Sequence, residues 1–354
     1  MTLNFNLFMR KFLFLTLFSL FTPGLPAAPH YDQIDEHARN APQNLDRDLD
    51  KLTAYLVRPA ETDAEKVRAF YVWIAEHIDY DVSLFKRYRP GISLNITPED
   101  VLKQGKAVCQ GYSDLMIAMC TRVGIEARLV PGYSKGFGNE NRTDFSNADH
   151  AWNAVKIDGK WQLLDATWGA GGLDENMNYV PKFNEKYFLA DPKEFIKDHM
   201  PLYPMWQLLD CPVSMQAFAL GGQALDQELA DPSGDCIRFS EQISRFDQME
   251  EAEQDLALAR MAYAFNPDNH VVMARGYMDY AHYLMSGINR QLRSREEIEA
   301  AVSVQENALS YLRQAENVLD KVKGKAADRE KEFVRQNIRN SEQNLRAMKK
   351  ILQG

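Results

Sequence analysis

The chain has 354 residues, more than one small domain needs, so two domains are expected. With 45% hydrophobic and 26% charged residues it can build an ordinary core. A formal net charge of -9 argues against a generic nucleic-acid surface, which needs clustered Lys and Arg to meet phosphate.

Arg10 and Lys11 precede an apolar run over 12–21, and Pro23-Gly24-Leu25-Pro26-Ala27-Ala28 then breaks it with small residues. This reads as a signal peptide over 1–27, cut after Ala27. The run is too short to span a bilayer comfortably, and no later stretch reaches 18 apolar residues. The expectation is an exported protein, periplasmic or secreted, with no integral membrane segment after cleavage. Disulfides persist in such compartments. Of the four cysteines, Cys211 and Cys236 lie close enough in sequence to bridge, although two cysteines carry no spacing signature. Cys120 sits in an apolar run and reads as a small core residue.

Leu45, Leu49, Leu52 and Leu56 recur at helical spacing and predict one amphipathic helix over 44–57. Thr62-Asp63-Ala64-Glu65 is a capping box. It starts a helix with Val67, Phe70, Tyr71, Ile74 and Ile78 as its buried stripe and Trp73 on the flank. Thr97-Pro98-Glu99-Asp100 starts a short helix that Gly105 ends. A buried helix over 109–122 follows, stopped by Gly124. Arg128-Leu129-Val130 is a strand candidate, and 134–149 is a Gly/Asn-rich loop leading to His150.

Residues 151–165 form a hairpin turning at Asp158-Gly159. This register sets Ile157 opposite Lys160 and Trp152 opposite Asp165. It leaves His150 and Asp165 on one face as diagonal neighbours, roughly 7–8 Å apart at the backbone. Residues 173–245 are irregular, with short strands expected between 211 and 239. Beyond them 250–265 and 270–285 pair as one tetratricopeptide-like helical hairpin, and 296–320 and 326–352 are longer, charge-rich helices. A stacked array would need about three such hairpins. The region reads as a helical bundle, with a protein partner as the alternative use of its surface.

The order of Cys109, His150 and Asp165 suggests a thiol-nucleophile triad. A helix N-terminus and a nearby imidazolium are the surroundings that favour a thiolate. His150 would take and return the thiol proton, and Asp165 would fix the imidazole tautomer. The backbone N–H of Cys109 would help to hold an oxyanion. Each residue taken alone has a plainer reading: a core thiol, a half-buried strand histidine, an aspartate capping a turn. No metal-ligand spacing, phosphate loop or dinucleotide fingerprint is present, so neither a metal nor a cofactor is expected. His30, His37, His77, His199, His270 and His282 appear scattered.

Val108-Cys109-Gln110-Gly111-Tyr112, His150-Ala151-Trp152-Asn153 and Leu164-Asp165-Ala166-Thr167-Trp168-Gly169 together resemble the transglutaminase-like superfamily. The nearest branch is that of the kyphoscoliosis peptidase and its bacterial relatives. The stretch from Trp73 to Asp81 and the segments Tyr187-Phe188-Leu189, His199-Met200-Pro201 and Trp206-Gln207-Leu208-Leu209 are similar to that branch too. The resemblance covers about 45–209. It implies a papain-like α+β core, with a Cys-bearing helix packed on an antiparallel sheet carrying His and Asp. In that core Cys109 is the nucleophile, His150 the base and Asp165 the orienting acid. Tyr80, Gln110, Trp152 and Trp168 become candidates for lining the substrate cleft, with core packing as the plainer role for the aromatic ones.

The expected organisation is a signal peptide (1–27), a catalytic domain (28–210), an irregular short-strand connector (211–245) and an all-α domain (246–354). The superfamily includes cross-linkers, peptidases, amidases and inactive scaffolds, so the resemblance leaves the reaction open. The leading expectation is an exported cysteine enzyme acting on protein or peptide amides through a thioester, by hydrolysis or by acyl transfer. The alternative is a non-catalytic peptide-binding or assembly module using the same cleft and the helical region. Small-molecule acyl transfer of the arylamine acetyltransferase kind is a weaker third.

Overall fold

Side-chain caps set the starts of three helices in the first third of the molecule. The computed structural model describes residues 31–45, 47–87, 95–136, 142, 144–232, 236, 238–289 and 291–353. The expected signal peptide lies outside these residues, as does part of the loop before His150. Helix α1 (Asp32–Arg39) shows no clear pattern in the sequence, since it buries only Ile34, Asp35 and Ala38. Helix α2 (Leu49–Leu56) begins where Asp48 accepts a hydrogen bond from Lys51 N at 3.0 Å. The single helix expected over 44–57 is therefore shorter, and Gln43–Leu45 is a separate 3-10 turn.

The capping box of Thr62 and Glu65 starts α3 (Asp63–His77). This helix is buried on every side from Val67 to Ala75, so its apolar stripe understates its burial. Arg68 is part of that buried run. Its guanidinium meets Asp35 on α1 at 2.6 and 2.7 Å and Glu185 at 2.6 and 2.7 Å, which offsets the cost of burying the charge. Strand β1 (Asp79–Tyr80), α4 (Val82–Arg87), α5 (Pro98–Gln104) and β2 (Lys106–Ala107) follow. Gly105, at φ 64°, ends α5, and β2 pairs in parallel with β1. Helix α6 (Cys109–Arg122) begins at once.

Strands β3 (Ala127–Ser134), β4 (His150–Ile157) and β5 (Lys160–Leu164) form the antiparallel sheet. Asp158 and Gly159 both take positive φ, as the tight two-residue turn requires, and the register runs from Ile157↔Lys160 to Asn153↔Leu164. Helix α6 packs on β3 and β4, and Asn153 Nδ2 donates to Ser113 O at 3.1 Å, locking helix to sheet. Next come α7 (Ala166–Ala170), the ribbon of β6 (Gly171–Leu173) and β7 (Tyr179–Pro181), α8 (Pro192–Phe195) and β8 (His199–Pro201). Strand β8 crosses over to pair with β3, giving the sheet order β5-β4-β3-β8.

The stretch between 211 and 245, expected to hold short strands, is helical instead: α9 (Met215–Leu220), α10 (Gly222–Ala230) and α11 (Phe239–Phe246). Ser214 caps α9 through Ala217 N at 3.1 Å. These helices are too short for their periodicity to stand out in the sequence. A disulfide joins Cys211 and Cys236 around α9 and α10. Helices α12 (Glu251–Phe265), α13 (His270–Ser286), α14 (Arg295–Leu319) and α15 (Lys325–Gln353) then pack each on the next. Gly276 lets α12 and α13 meet closely: a Cβ there would lie 2.4 Å from that of Ala259. The turn between these two helices is seated on the sheet domain. Buried Asn266 donates to Phe145 O at 2.8 Å, and buried Asn269 accepts from the Tyr133 hydroxyl. Among the described residues no helix is long and apolar enough to cross a membrane.

Candidate active site

Val108 precedes α6 in extended conformation and offers no capping side chain. The first i→i−4 bond of this helix runs from Tyr112 N to Val108 O. The N–H groups of Cys109, Gln110 and Gly111 therefore precede the helical ladder, and the positive end of the helix dipole falls at the thiol. Cys109 is half-buried, whereas Cys120, further along the same helix, is buried. Burial pushes the Cys120 thiol up to about 12.

His150 opens β4 and Asp165 follows β5, so the hairpin register brings them together. His150 Nε2 lies 2.7 Å from Asp165 Oδ2. Asp165 is also the N-cap of α7, with Oδ1 accepting from Thr167 N at 2.7 Å and Trp168 N at 3.1 Å. The capping and orienting roles thus coexist on one carboxylate, because each uses a different oxygen. Burial by itself would lower the His150 pKa. The Asp165 carboxylate outweighs it, aided by hydrogen bonds with Asp165 and Cys109, and holds the ring well above the usual imidazole value. Burial likewise works to raise Asp165, and the charge and hydrogen bonds of His150, with those of His199, hold it well below the usual carboxylate range.

Spacing and periodicity in the sequence give no warning of His199. Strand β8 carries it beside β3, where its Nε2 lies 3.0 Å from the same Asp165 Oδ2 and its Nδ1 lies 2.6 Å from Asp198 Oδ1. Asp198 in turn accepts from Lys186 Nζ at 2.6 Å and Tyr187 OH at 3.0 Å through Oδ2. The histidines that look scattered in sequence thus include one built into the site. The segment His199-Met200-Pro201 is the only sequence signal that points to it. His150, Asp165 and His199 each place a ligating atom within 4.8 Å of the others, close enough to share a cation. These atoms are spent on one another instead. Asp165 already accepts four hydrogen bonds, the full capacity of a carboxylate.

Of the cleft candidates, Tyr80, Gln110 and Trp168 line two cavities at the site. A cavity of about 360 Å³ runs past Tyr80, Phe85, His150, Thr167, Trp168 and Tyr179. A second, of about 230 Å³, holds Cys109, Gln110, Leu129 and Pro131, and shares Tyr80, Phe85, Asp149 and His150 with the first. His150 therefore stands where two depressions meet. Burial first, and then the nearby Cys109 and Asp165, push the Tyr80 phenol up, so it stays a protonated donor at that junction. Trp152 is 1% exposed and packs edge-to-face with His199, ring centroids 5.1 Å apart, which makes it a wall behind the site.

Residues 50–166, which include Cys109, His150 and Asp165, match the transglutaminase-like superfamily. The chain is 43% identical over 173 residues to the kyphoscoliosis peptidase of Homo sapiens, covering 48% of this chain and 26% of that protein. It is 29% identical over 208 residues to hillarin of Drosophila melanogaster, covering 53% of this chain and 24% of that protein. The chain thus spans about a quarter of the length of these relatives. The fold that surrounds Cys109, His150 and Asp165 is the transglutaminase-like, papain-like fold.

Proposed function

We propose that the protein is a cysteine enzyme that acts on amide bonds of proteins or peptides, with Cys109 as nucleophile, His150 as acid and base, and Asp165 as orienting carboxylate. The observation that carries this reading is the 2.7 Å contact of His150 Nε2 with Asp165 Oδ2 on an imidazole whose other side is turned to the Cys109 thiol. With Nε2 held by the acid, Nδ1 is left to exchange a proton with sulfur. The Cys109 thiolate attacks the amide carbon, and the N–H groups of the first turn of α6 stabilise the oxyanion. The C–N bond then breaks as imidazolium His150 gives its proton to the leaving amine, leaving a thioester. Water attacks the thioester, His150 takes its proton, and the C–S bond breaks to release the acid and regenerate the thiolate.

An amine in place of water would give acyl transfer by the same steps. Hydrolysis is favoured here because the similar human protein is named a peptidase. An exported location belongs to this proposal and rests on the basic, apolar and small-residue order of residues 10–28. The test is alkylation by iodoacetamide at pH 6, read by mass spectrometry. Cys109 should be modified far faster than Cys120, and Cys109→Ala should abolish turnover of peptide substrates. Equally sluggish modification of both thiols would reject the enzyme and leave a peptide-binding module.

A further inference from the structure

We propose that His199 is a positioning residue carried as an imidazolium between Asp165 and Asp198, and that its charge sets the pH range over which the Cys109–His150 pair is active. The inference rests on the thiol-nucleophile reading above. It starts from hydrogen-bond accounting. An ionised carboxylate only accepts, so a ring nitrogen facing one must donate. His199 faces Asp165 through Nε2 at 3.0 Å and Asp198 through Nδ1 at 2.6 Å. Each carboxylate has partners that keep it ionised: His150 and two backbone N–H groups for Asp165, Lys186 and Tyr187 for Asp198. Both ring nitrogens of His199 must then carry protons.

The surroundings agree with a cation. His199 is fully buried, and the rings of Trp152, Trp168, Tyr187 and Phe195 stand 5.1, 4.3, 5.4 and 4.2 Å from it between centroids. Of these rings Phe195 is stacked on the imidazole, and an aromatic face within about 6 Å favours a positive charge. The charges also alternate along the row: Cys109 thiolate, His150 cation, Asp165 anion, His199 cation, Asp198 anion, Lys186 cation. A neutral His199 would break that alternation and leave one of its two carboxylates, Asp165 or Asp198, facing a lone pair.

The two imidazole centroids are 5.3 Å apart, so His199 acts on His150 as a like charge while sharing its carboxylate. It therefore restrains the basicity that Asp165 confers, and keeps His150 able to release its proton to a leaving group. The other ionisable groups facing His150 are Cys109, Tyr80 and Asp149. Those facing His199 are the two carboxylates and Tyr187, with Lys186 behind Asp198.

The experiment measures the pH dependence of Cys109 alkylation by iodoacetamide in the full-length protein and in His199→Gln and Asp198→Asn. Loss of a positive charge at this distance should move both limbs of the profile to higher pH by at least about half a unit in His199→Gln. Asp198→Asn leaves Asp165 untouched but removes the negative charge on the far side of His199, so the ring gives up its proton more readily. A smaller shift in the same direction is expected. Profiles that coincide with wild type in both folded variants would overturn the inference while leaving the triad reading intact. A wild-type thiol inert at pH 6 would overturn both. A stoichiometric metal in the purified protein, lost on His199→Gln, would replace the imidazolium with a ligated cation and overturn the inference alone.

Discussion

Asp165→Asn isolates what the carboxylate contributes, because asparagine keeps the shape and removes one acceptor. Asp165 uses Oδ1 for Thr167 N and Trp168 N and Oδ2 for the two imidazoles. The amide oxygen can serve only one of these pairs. Turning the NH₂ group toward the backbone would leave two buried N–H donors unpaired, at about 1–3 kcal/mol each. The oxygen therefore stays on the helix cap, and the NH₂ group faces His150 Nε2. That nitrogen must then accept, which shifts its proton to Nδ1, the nitrogen left for Cys109, and His150 can no longer take the thiol proton. The equivalent change in a serine triad lowers turnover by about 10⁴, or about 5 kcal/mol of transition-state stabilisation. Alkylation gives a readout without a known substrate. An ordinary free thiol is ionised to roughly one part in 300 at pH 6, so modification of Cys109 should slow by about a hundredfold when the imidazolium is lost. A folded Asp165→Asn protein whose Cys109 is alkylated within about threefold of the wild-type rate would refute the tautomer argument.

Gly132→Ala should lower stability by about 1–3 kcal/mol and slow Cys109 alkylation, as urea unfolding and mass spectrometry would show. A Cβ at 132 would lie 2.3 Å from Met200 O and 2.4 Å from the Trp152 ring, where β3 meets the strands carrying His150 and His199. Stability should peak between about pH 4 and pH 6.5. His150 is raised on folding, so its contribution is complete below the unfolded imidazole value and is lost as pH rises through the folded one. Asp165 and Asp198 are lowered, so theirs is complete above the unfolded carboxylate value and is lost as pH falls. Urea midpoints across pH would show this, and a midpoint still rising above pH 8 would contradict it. Reducing the Cys211–Cys236 bridge, which closes a separation of 25 residues, should cost about 3 kcal/mol and leave Cys109 alkylation unchanged.

The parts of the fold that are local are legible in the sequence. Thr62 and Thr97 announce their helices by hydrogen bonds three residues long, and Asp158-Gly159 fixes the hairpin register through two positive φ angles. That register alone brings Asp165 to His150. What is hidden depends on contacts between distant segments. Arg68 looks like the polar face of α3 until Asp35 and Glu185 arrive from either side to balance it. His199 sits on a three-residue strand that has no period to detect, and it reaches Asp165 only because β8 crosses over to β3. The helices between 211 and 245 were hidden for a related reason. They have six, nine and eight residues, and packing, more than their own pattern, holds helices so short in place.

The arrangement of charge explains how so polar a row can lie inside the protein. Side-chain exposure falls from 49% at Lys186 to 16% at Asp198 and 0% at His199, then rises only to 6% at His150. Desolvation is therefore greatest in the middle, where Asp165 has an imidazole on each side, and least at Lys186, where water shares the work. A buried charge with one partner missing is strongly destabilising, whereas a fully paired one can come close to balance. This makes the row cooperative: neutralising any member leaves its neighbour inside without compensation. The half-buried Cys109 sits at the opposite end from Lys186, so the row ends in the cleft at the proposed nucleophile. The two residues that support the base, Asp165 and His199, are the ones kept from water.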